Sequence, residues 1–330
     1  MKGLGSVLAL LVAAVSAVPA QHAVVEPAQQ PAPFRSGASL VALNVTVFDG
    51  SKRAVSGLLA EDFAIYEDGV QQRVQFFESS GVPIDLILLI DASSSMRDKM
   101  TVVHEAALGF LETLRDGDRG AVVSFSDTVN VAQPLTSDRA ALTTAVTSTR
   151  AAGATALHNA LYVSLKEFGR SAQQRSDVRR QAIAVLSDGE DTSSLVSFDD
   201  VLGLARRSGV GIYPIRLQSE FASIRANRDE NKYFSESAYS MKTLAQETGG
   251  QAYFPAIIGE LKNVYAGIAQ ELATQYSIGY TPTNARRDGR FRRIVVRLPA
   301  QPNLKPRARA GYTAEAMAVS SRQQAAGSRQ

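Results

Sequence analysis

The stretch Ile84-Asp85-Leu86-Ile87-Leu88-Leu89-Ile90-Asp91-Ala92-Ser93-Ser94-Ser95 decides how this chain folds. Leu86 to Ile90 is an unbroken apolar run, the mark of a strand buried on both faces of a parallel sheet. The run stops at Asp91, and Ser93 and Ser95 follow at alternate positions. A carboxylate and two hydroxyls are thereby delivered at the carboxyl end of a buried strand, the edge of an open α/β sheet at which ligands bind. Hard divalent cations take such oxygen donors, and Mg²⁺ asks for about six of them, some from water. The competing reading is a Ser-rich loop that caps the following helix, with Ser95 or Asp98 as the N-cap.

Strand and helix alternate from there on, which points to a mostly parallel sheet with helices on both faces. Helices are expected over 102–114, 140–149, 156–168, 200–207, 241–247 and 260–276. Strands are expected over 120–125, 182–186, 212–217 and 252–254, with 128–132 as an antiparallel neighbour of the first. Gly117, Gly209 and Gly249-Gly250 stand where helices should stop. In the last helix, Leu261, Val264, Ile268 and Leu272 share one face, which should dock on the sheet. Between 217 and the next helix lies a long polar segment, 218–237, without clear periodicity. Loops of that length in compact domains are usually functional or disordered.

Both flanks of this region have β character. Val41, Leu43, Val45 and Val47 alternate within 39–48, as a half-buried strand does. Runs at 63–66 and 70–77 flank Asp68-Gly69, a strong hairpin signal. Runs at 275–280, 291–298 and 307–312 follow the last helix, with Asp288-Gly289 turning between the first two. Each flank is too small to make a good core alone. The economical solution is one composite β-sandwich assembled from both ends of the chain. The expected organisation is a signal peptide at 1–20, a flexible leader at 21–37 and half of the sandwich at 38–82. An α/β domain at 83–274, the other half of the sandwich at 275–314 and a disordered polar tail at 315–330 complete it.

Composition narrows the function classes. The chain has 330 residues, no Cys and three His, so disulfides, zinc–thiolate sites and His-based metal centres are not expected. Its net charge of +3 provides no nucleic-acid-grade basic surface. Lys2, the apolar run 7–18 and the small residues at Val18-Pro19-Ala20 read as an export signal with a cleavage site. An uncleaved anchor is the alternative, but the run is short and Ala-rich against the roughly 20 strongly apolar residues of a membrane span. The mature protein is therefore expected to be soluble and exported, without a membrane span: periplasmic, on the cell surface or secreted.

Three loops gather oxygen donors at one edge. Asp91, Ser93 and Ser95 end one buried strand, Asp188 ends another, and Thr155 stands in a small-residue loop ahead of a helix. The set Asp-x-Ser-x-Ser, then Thr, then Asp resembles the metal-ion-dependent adhesion site of von Willebrand factor A domains. Gly153-Ala154-Thr155-Ala156-Leu157 is similar to that family's Thr loop, and Ser187-Asp188-Gly189-Glu190-Asp191 to its Asp loop. The core resemblance runs from Pro83 to Gln275. Flanking segments resemble an exported bacterial group described as VWFA-related: Leu58 through Asp68-Gly69 on one side, and Gly279-Tyr280 through Arg309-Ala310-Gly311-Tyr312 on the other. The resemblance implies a Rossmann-like, doubly wound α/β core. It also implies Mg²⁺ or Mn²⁺ at Asp91, Ser93, Ser95, Thr155 and Asp188, and protein binding in place of catalysis.

Charge supports a binding role on separate grounds. Asp91 and Asp188 formally neutralise a divalent ion, and the remaining donors are neutral hydroxyls. The ion stays electrophilic and can accept a carboxylate from a protein partner, whereas a structural Ca²⁺ cage usually brings more carboxylates. A phosphoryl-transfer enzyme of the haloacid-dehalogenase type would need a second carboxylate where Ser93 stands. No Gly-x-Ser-x-Gly or Ser-x-x-Lys signature of serine hydrolysis is present. A structural envelope protein whose metal only holds loops together remains the other reading. Glu190 and Asp191 read as solvated turn residues or as a filter against acidic partners, and His158 and Asn159 as helix surface. Arg175, Arg179 and Arg180 precede a strand and are expected to face solvent at the opposite end of the sheet.

Overall fold

A computed structural model describes residues 40–79, 81–173, 178–188, 191–217 and 236–314. The expected signal peptide, leader and tail, and nearly all of the segment 218–237, lie outside the described residues. Four strands precede the α/β region: β1 (Val41–Phe48), β2 (Ala64–Glu67), β3 (Val70–Gln72) and β4 (Val74–Glu78). Within it run β5 (Ile84–Asp91), α1 (Met100–Glu112), β6 (Arg119–Phe125), β7 (Val129–Thr136), α2 (Arg139–Ser148) and α3 (Leu157–Gln173). There follow β8 (Arg180–Ser187), α4 (Phe198–Ser208), β9 (Gly211–Arg216), α5 (Glu236–Thr248) and α6 (Leu261–Thr274). Four further strands close the chain: β10 (Tyr276–Tyr280), β11 (Phe291–Arg297), β12 (Lys305–Arg307) and β13 (Gly311–Thr313).

The central sheet has the order β7-β6-β5-β8-β9. β5 pairs in parallel with β6 and β8, β8 in parallel with β9, and only β7 runs antiparallel, against β6. Every residue of β5 is buried, which is why its middle, Leu86 to Ile90, is apolar without alternation. Alternate side chains serve two separate cores. Leu86, Leu88 and Ile90 pack with Phe110 of α1, Leu142 of α2 and Tyr265 of α6. Ile87 and Leu89 pack with Leu161 of α3, Val201 of α4 and Leu244 of α5. Each such side chain contributes about 1.5–3 kcal/mol of hydrophobic stabilisation. The result is the doubly wound, mostly parallel α/β layer that the alternating pattern predicts.

Two small antiparallel sheets, β12-β1-β10-β4 and β13-β11-β2-β3, each combine strands from both ends of the chain. β1 lies between β10 and β12, and β11 lies between β2 and β13. Their facing side chains, among them Leu43, Val45, Ile65, Tyr276 and Ile278, form a third core. β2 and β3 make the expected hairpin through Asp68 (φ 48°) and Gly69 (φ 85°), whose left-handed backbone matches the strand twist.

Some local expectations are corrected. The run 307–312 is not one strand: β12 pairs with β1 and β13 with β11, so the chain crosses between the two sheets there. For the same reason Asp288-Gly289 does not turn between neighbours, because β10 and β11 belong to different sheets. The expected strand at 252–254 is a single parallel bridge, Ile215 to Tyr253. Arg179 and Arg180 do lie at the far end of the sheet, but they do not face solvent. Arg179 Nε donates to the fully buried Asp85 Oδ1 at 2.8 Å, beside Arg119. Arg180 is itself buried and donates to the carbonyls of Val82 (2.7 Å) and Gln275 (3.0 Å). Burial lowers its guanidinium pKa to about 10. These arginines saturate the backbone where sandwich and sheet meet, a role that a charge in the sequence does not announce.

Candidate metal centre

β5 and β8 end side by side, and their last residues start the site. Asp91 is fully buried, and each of its carboxylate oxygens accepts a hydrogen bond. Ser93 N donates to Oδ1 at 2.8 Å and Ser187 Oγ to Oδ2 at 2.5 Å. Burial raises the Asp91 pKa, the hydrogen bonds from Ser187 and Ser93 pull it down, and the charge of Asp188 adds to the rise. Ser93 Oγ, also buried, lies 3.0 Å from Ser95 Oγ. Ser95 is exposed, and its hydroxyl donates to Asp188 Oδ1 at 2.8 Å. A continuous polar chain therefore joins Asp91 to Asp188 across the carboxyl edge of the sheet.

Helix capping does not account for this use of serine. The turn Ser94–Lys99 is a short 3₁₀ segment, and α1 begins with Lys99 at its N-cap and without a side-chain cap bond. Ser95 spends its proton on Asp188 and not on the helix.

Thr155 reaches the same place through its loop. Ser94 N donates to Gly153 O at 3.0 Å, and Ala152 N to Ala92 O at 2.7 Å, which lays the loop alongside the residues after β5. Gly153 has φ 82°, and a Cβ there would stand 2.5 Å from Asp127 Oδ1, so only glycine fits the bend. On the other side, the Thr155 carbonyl accepts from Thr192 N at 2.8 Å and Ser193 N at 3.1 Å. Thr155 is buried and stands between the two carboxylate loops. All five residues singled out in the sequence thus belong to one edge, four of them joined by side-chain contacts and Thr155 held by its main chain.

The donor set suits a hard divalent cation. It consists of oxygens alone, and two carboxylates supply charge equal to that of Mg²⁺ or Mn²⁺. Ser93 Oγ, within the buried part of the site, lies between the Asp91 carboxylate and the Ser95 hydroxyl. Among the described residues no group of three or more His, Cys, Asp or Glu side chains could hold a metal. Two carboxylates backed by hydroxyls are what this edge offers.

The model of the von Willebrand factor type A domain matches residues 85–254, from β5 to just beyond α5. The chain belongs to that family. Among curated relatives, a UPF0353 protein of Mycobacterium marinum is 27% identical over 202 residues, 57% of this chain and 60% of the relative. One from Mycobacterium tuberculosis matches to the same extent. The match thus spans about three-fifths of the length of these relatives. Among solved structures, a von Willebrand factor type A protein from Catenulispora acidiphila covers 86% of this chain and 65% of its own, at 16% identity and TM-score 0.48. The vWF domain of the type V pili tip protein Mfa5 from Porphyromonas gingivalis covers 58% and 95%, at 14% identity and TM-score 0.46.

Within the VWA domain, several residues around the site escape sequence reasoning. Asp191 is not a solvated turn residue: its Oδ2 accepts from His158 N at 2.7 Å and its Oδ1 from Ser194 N at 3.0 Å. It caps the first turn of α3 from another loop, and the His158 ring nitrogen Nδ1 lies 3.3 Å from the same carboxylate. Asn159 is likewise not bare helix surface, since its Oδ1 accepts from the amides of Leu195 and Val196, both at 3.1 Å. Glu190 lies outside the described residues. Lys99, passed over in the sequence, places its ammonium on Asp188 Oδ2. Apart from the Ser194 contact, these pairings join residues 33 to 89 positions apart, so no local spacing reveals them. The only sequence cue is that the partners flank the three loops.

Proposed function

We propose that this chain is an exported, metal-dependent protein-binding module. In this reading Asp91, Ser93, Ser95, Thr155 and Asp188 hold Mg²⁺ or Mn²⁺, directly or through water, and the ion accepts a carboxylate from a partner protein. The observation that carries it is the polar chain from buried Asp91 through Ser93 and exposed Ser95 to Asp188. It brings two buried carboxylates together beside the exposed Ser95, with neutral hydroxyls for the remaining valences. VWA domains typically serve in protein interaction and adhesion, which agrees with a site rich in ligands and poor in acid–base groups. Export rests on the sequence of Met1 to Ala20. Among the described residues no helix is long and apolar enough to cross a membrane.

Thermal unfolding of chelator-treated protein, titrated with MgCl₂ or MnCl₂, tests the metal. A native-state ligand at a hundred times its Kd stabilises by about 2.7 kcal/mol. Asp91→Ala and Asp188→Ala should each abolish the rise in Tm while leaving the far-UV spectrum intact. An equal rise in both variants would place the metal elsewhere. Capture of a partner from envelope extracts with and without chelator then separates adhesion from the alternative, a metal that only steadies loops.

A further inference from the structure

Asp188 is occupied on both oxygens. Ser95 Oγ donates to Oδ1 at 2.8 Å, and the Lys99 ammonium contacts Oδ2. The Asp188 side chain is 4% exposed and that of Lys99 24%, so the pair is shielded at the carboxylate and open along the lysine stem. Among the described residues, Lys99 makes the one salt bridge to either carboxylate of the site. Its backbone is held at the junction of the 3₁₀ turn and α1, where it forms the N-cap. The ammonium is therefore tethered within reach of Asp188, and its flexible, partly exposed stem gives it a route into water.

Two carboxylates joined through a pair of serines leave an uncompensated charge at a largely buried edge, and such charge demands a cation. Lys99 supplies one of the two positive charges required. A metal ion that takes Asp188 as ligand meets an oxygen already holding an ammonium, and the two cations repel at contact distance. We infer that Lys99 is a built-in counter-cation that holds Asp188 in the metal-free site, and that a divalent ion must displace it to load. The inference rests on the metal-binding reading above. It adds that metal affinity is set by a residue that is not itself a ligand. The metal-free protein keeps an ordered site, and loading is weaker than the oxygen donors alone would make it.

Calorimetric titration of the chelator-treated full chain with MgCl₂, for wild type, Lys99→Met, Lys99→Gln and Lys99→Arg, tests this. Removing the charge should tighten Mg²⁺ binding roughly two- to fivefold, the scale of a partly exposed ion pair. The same variants should melt lower than wild type without metal and show a larger rise with it. Lys99→Arg, which keeps the charge, should stay near wild type in both measurements. Using two neutral variants guards against one that simply folds badly. Equal Mg²⁺ affinity in wild type and in both neutral variants would overturn the role of Lys99 and leave the metal site standing. Failure of every protein, wild type included, to bind Mg²⁺ would overturn both readings together.

Discussion

Ser187 Oγ donates to Asp91 Oδ2 at 2.5 Å, joining the last residues of two neighbouring parallel strands. Both residues are fully buried, so the bond fixes the carboxylate plane before any ligand arrives. Such an outer partner holds a metal ligand in orientation, and its loss typically lowers metal affinity about 10- to 100-fold. Ser187→Ala should therefore weaken Mg²⁺ binding by roughly tenfold. It should change the metal-free Tm by far less than Leu88→Ala, which opens a core cavity at a cost of about 2–5 kcal/mol. Calorimetric titration alongside thermal unfolding of both variants checks this.

Asp191 acts on folding more than on chemistry. It receives the amides of His158 and Ser194 and so holds the start of α3 to the loop after β8. Asp191→Ala removes a cap from another part of the chain and should destabilise by about 1–2 kcal/mol, the upper range for lost N-caps. Asp191→Asn keeps an acceptor and should recover more than half of that loss in urea denaturation.

The central sheet is legible in the sequence because its physics is local. A strand buried on both faces must be apolar along its middle, and β5 is from Leu86 to Ile90; a helix lying on it must carry a stripe, and α6 does. The composite sandwich follows from a different argument, that two orphan β segments need each other. What escapes is the assignment of strands to sheets. β12 and β13 differ only in whether they meet β1 or β11, a choice made by tertiary contact. Arg180 shows the same limit. Its burial depends on carbonyls at Val82 and Gln275 that have no counterpart in local pattern.

The candidate site is legible for a related reason. Asp91, Ser93 and Ser95 lie within one turn of chain, and Thr155 and Asp188 sit at ends of strongly patterned elements. Their surroundings are not legible: Lys99 meets Asp188, and Asn159 meets the 195–196 amides, only because the loops fold over one another. Residue type gives no hint of it, since a lysine ahead of a helix is ordinarily a solvated one.

Glu271 of α6 ties the α/β layer to the sandwich. It is buried, accepts from Tyr213 Oη at 2.8 Å and from Thr46 Oγ1 at 3.3 Å, and pairs with Arg307 of β12. Arg307→Met would leave the carboxylate buried without its cation, a loss of about 3 kcal/mol. Adding Glu271→Gln removes the stranded charge, so the double variant should be more stable than Arg307→Met alone. A urea double-mutant cycle measures the coupling, and strictly additive effects would show that the two parts are not joined through this pair.

His104 should make the stability of the fold acid-sensitive. It lies half-buried on α1, where burial, and then the charge of Arg150, lower its pKa below the ordinary value of 6.5. The unfolded chain keeps that ordinary value, so below it the unfolded state binds a proton that the folded state refuses. The contribution of His104 is therefore fully present above pH 6.5 and is lost as the pH falls through the lowered folded value. In chelator, wild-type Tm should decline from pH 7 toward pH 5, and His104→Gln, which cannot take up a proton, should decline less steeply over the same window. Parallel slopes for the two proteins would assign the acid sensitivity to other groups.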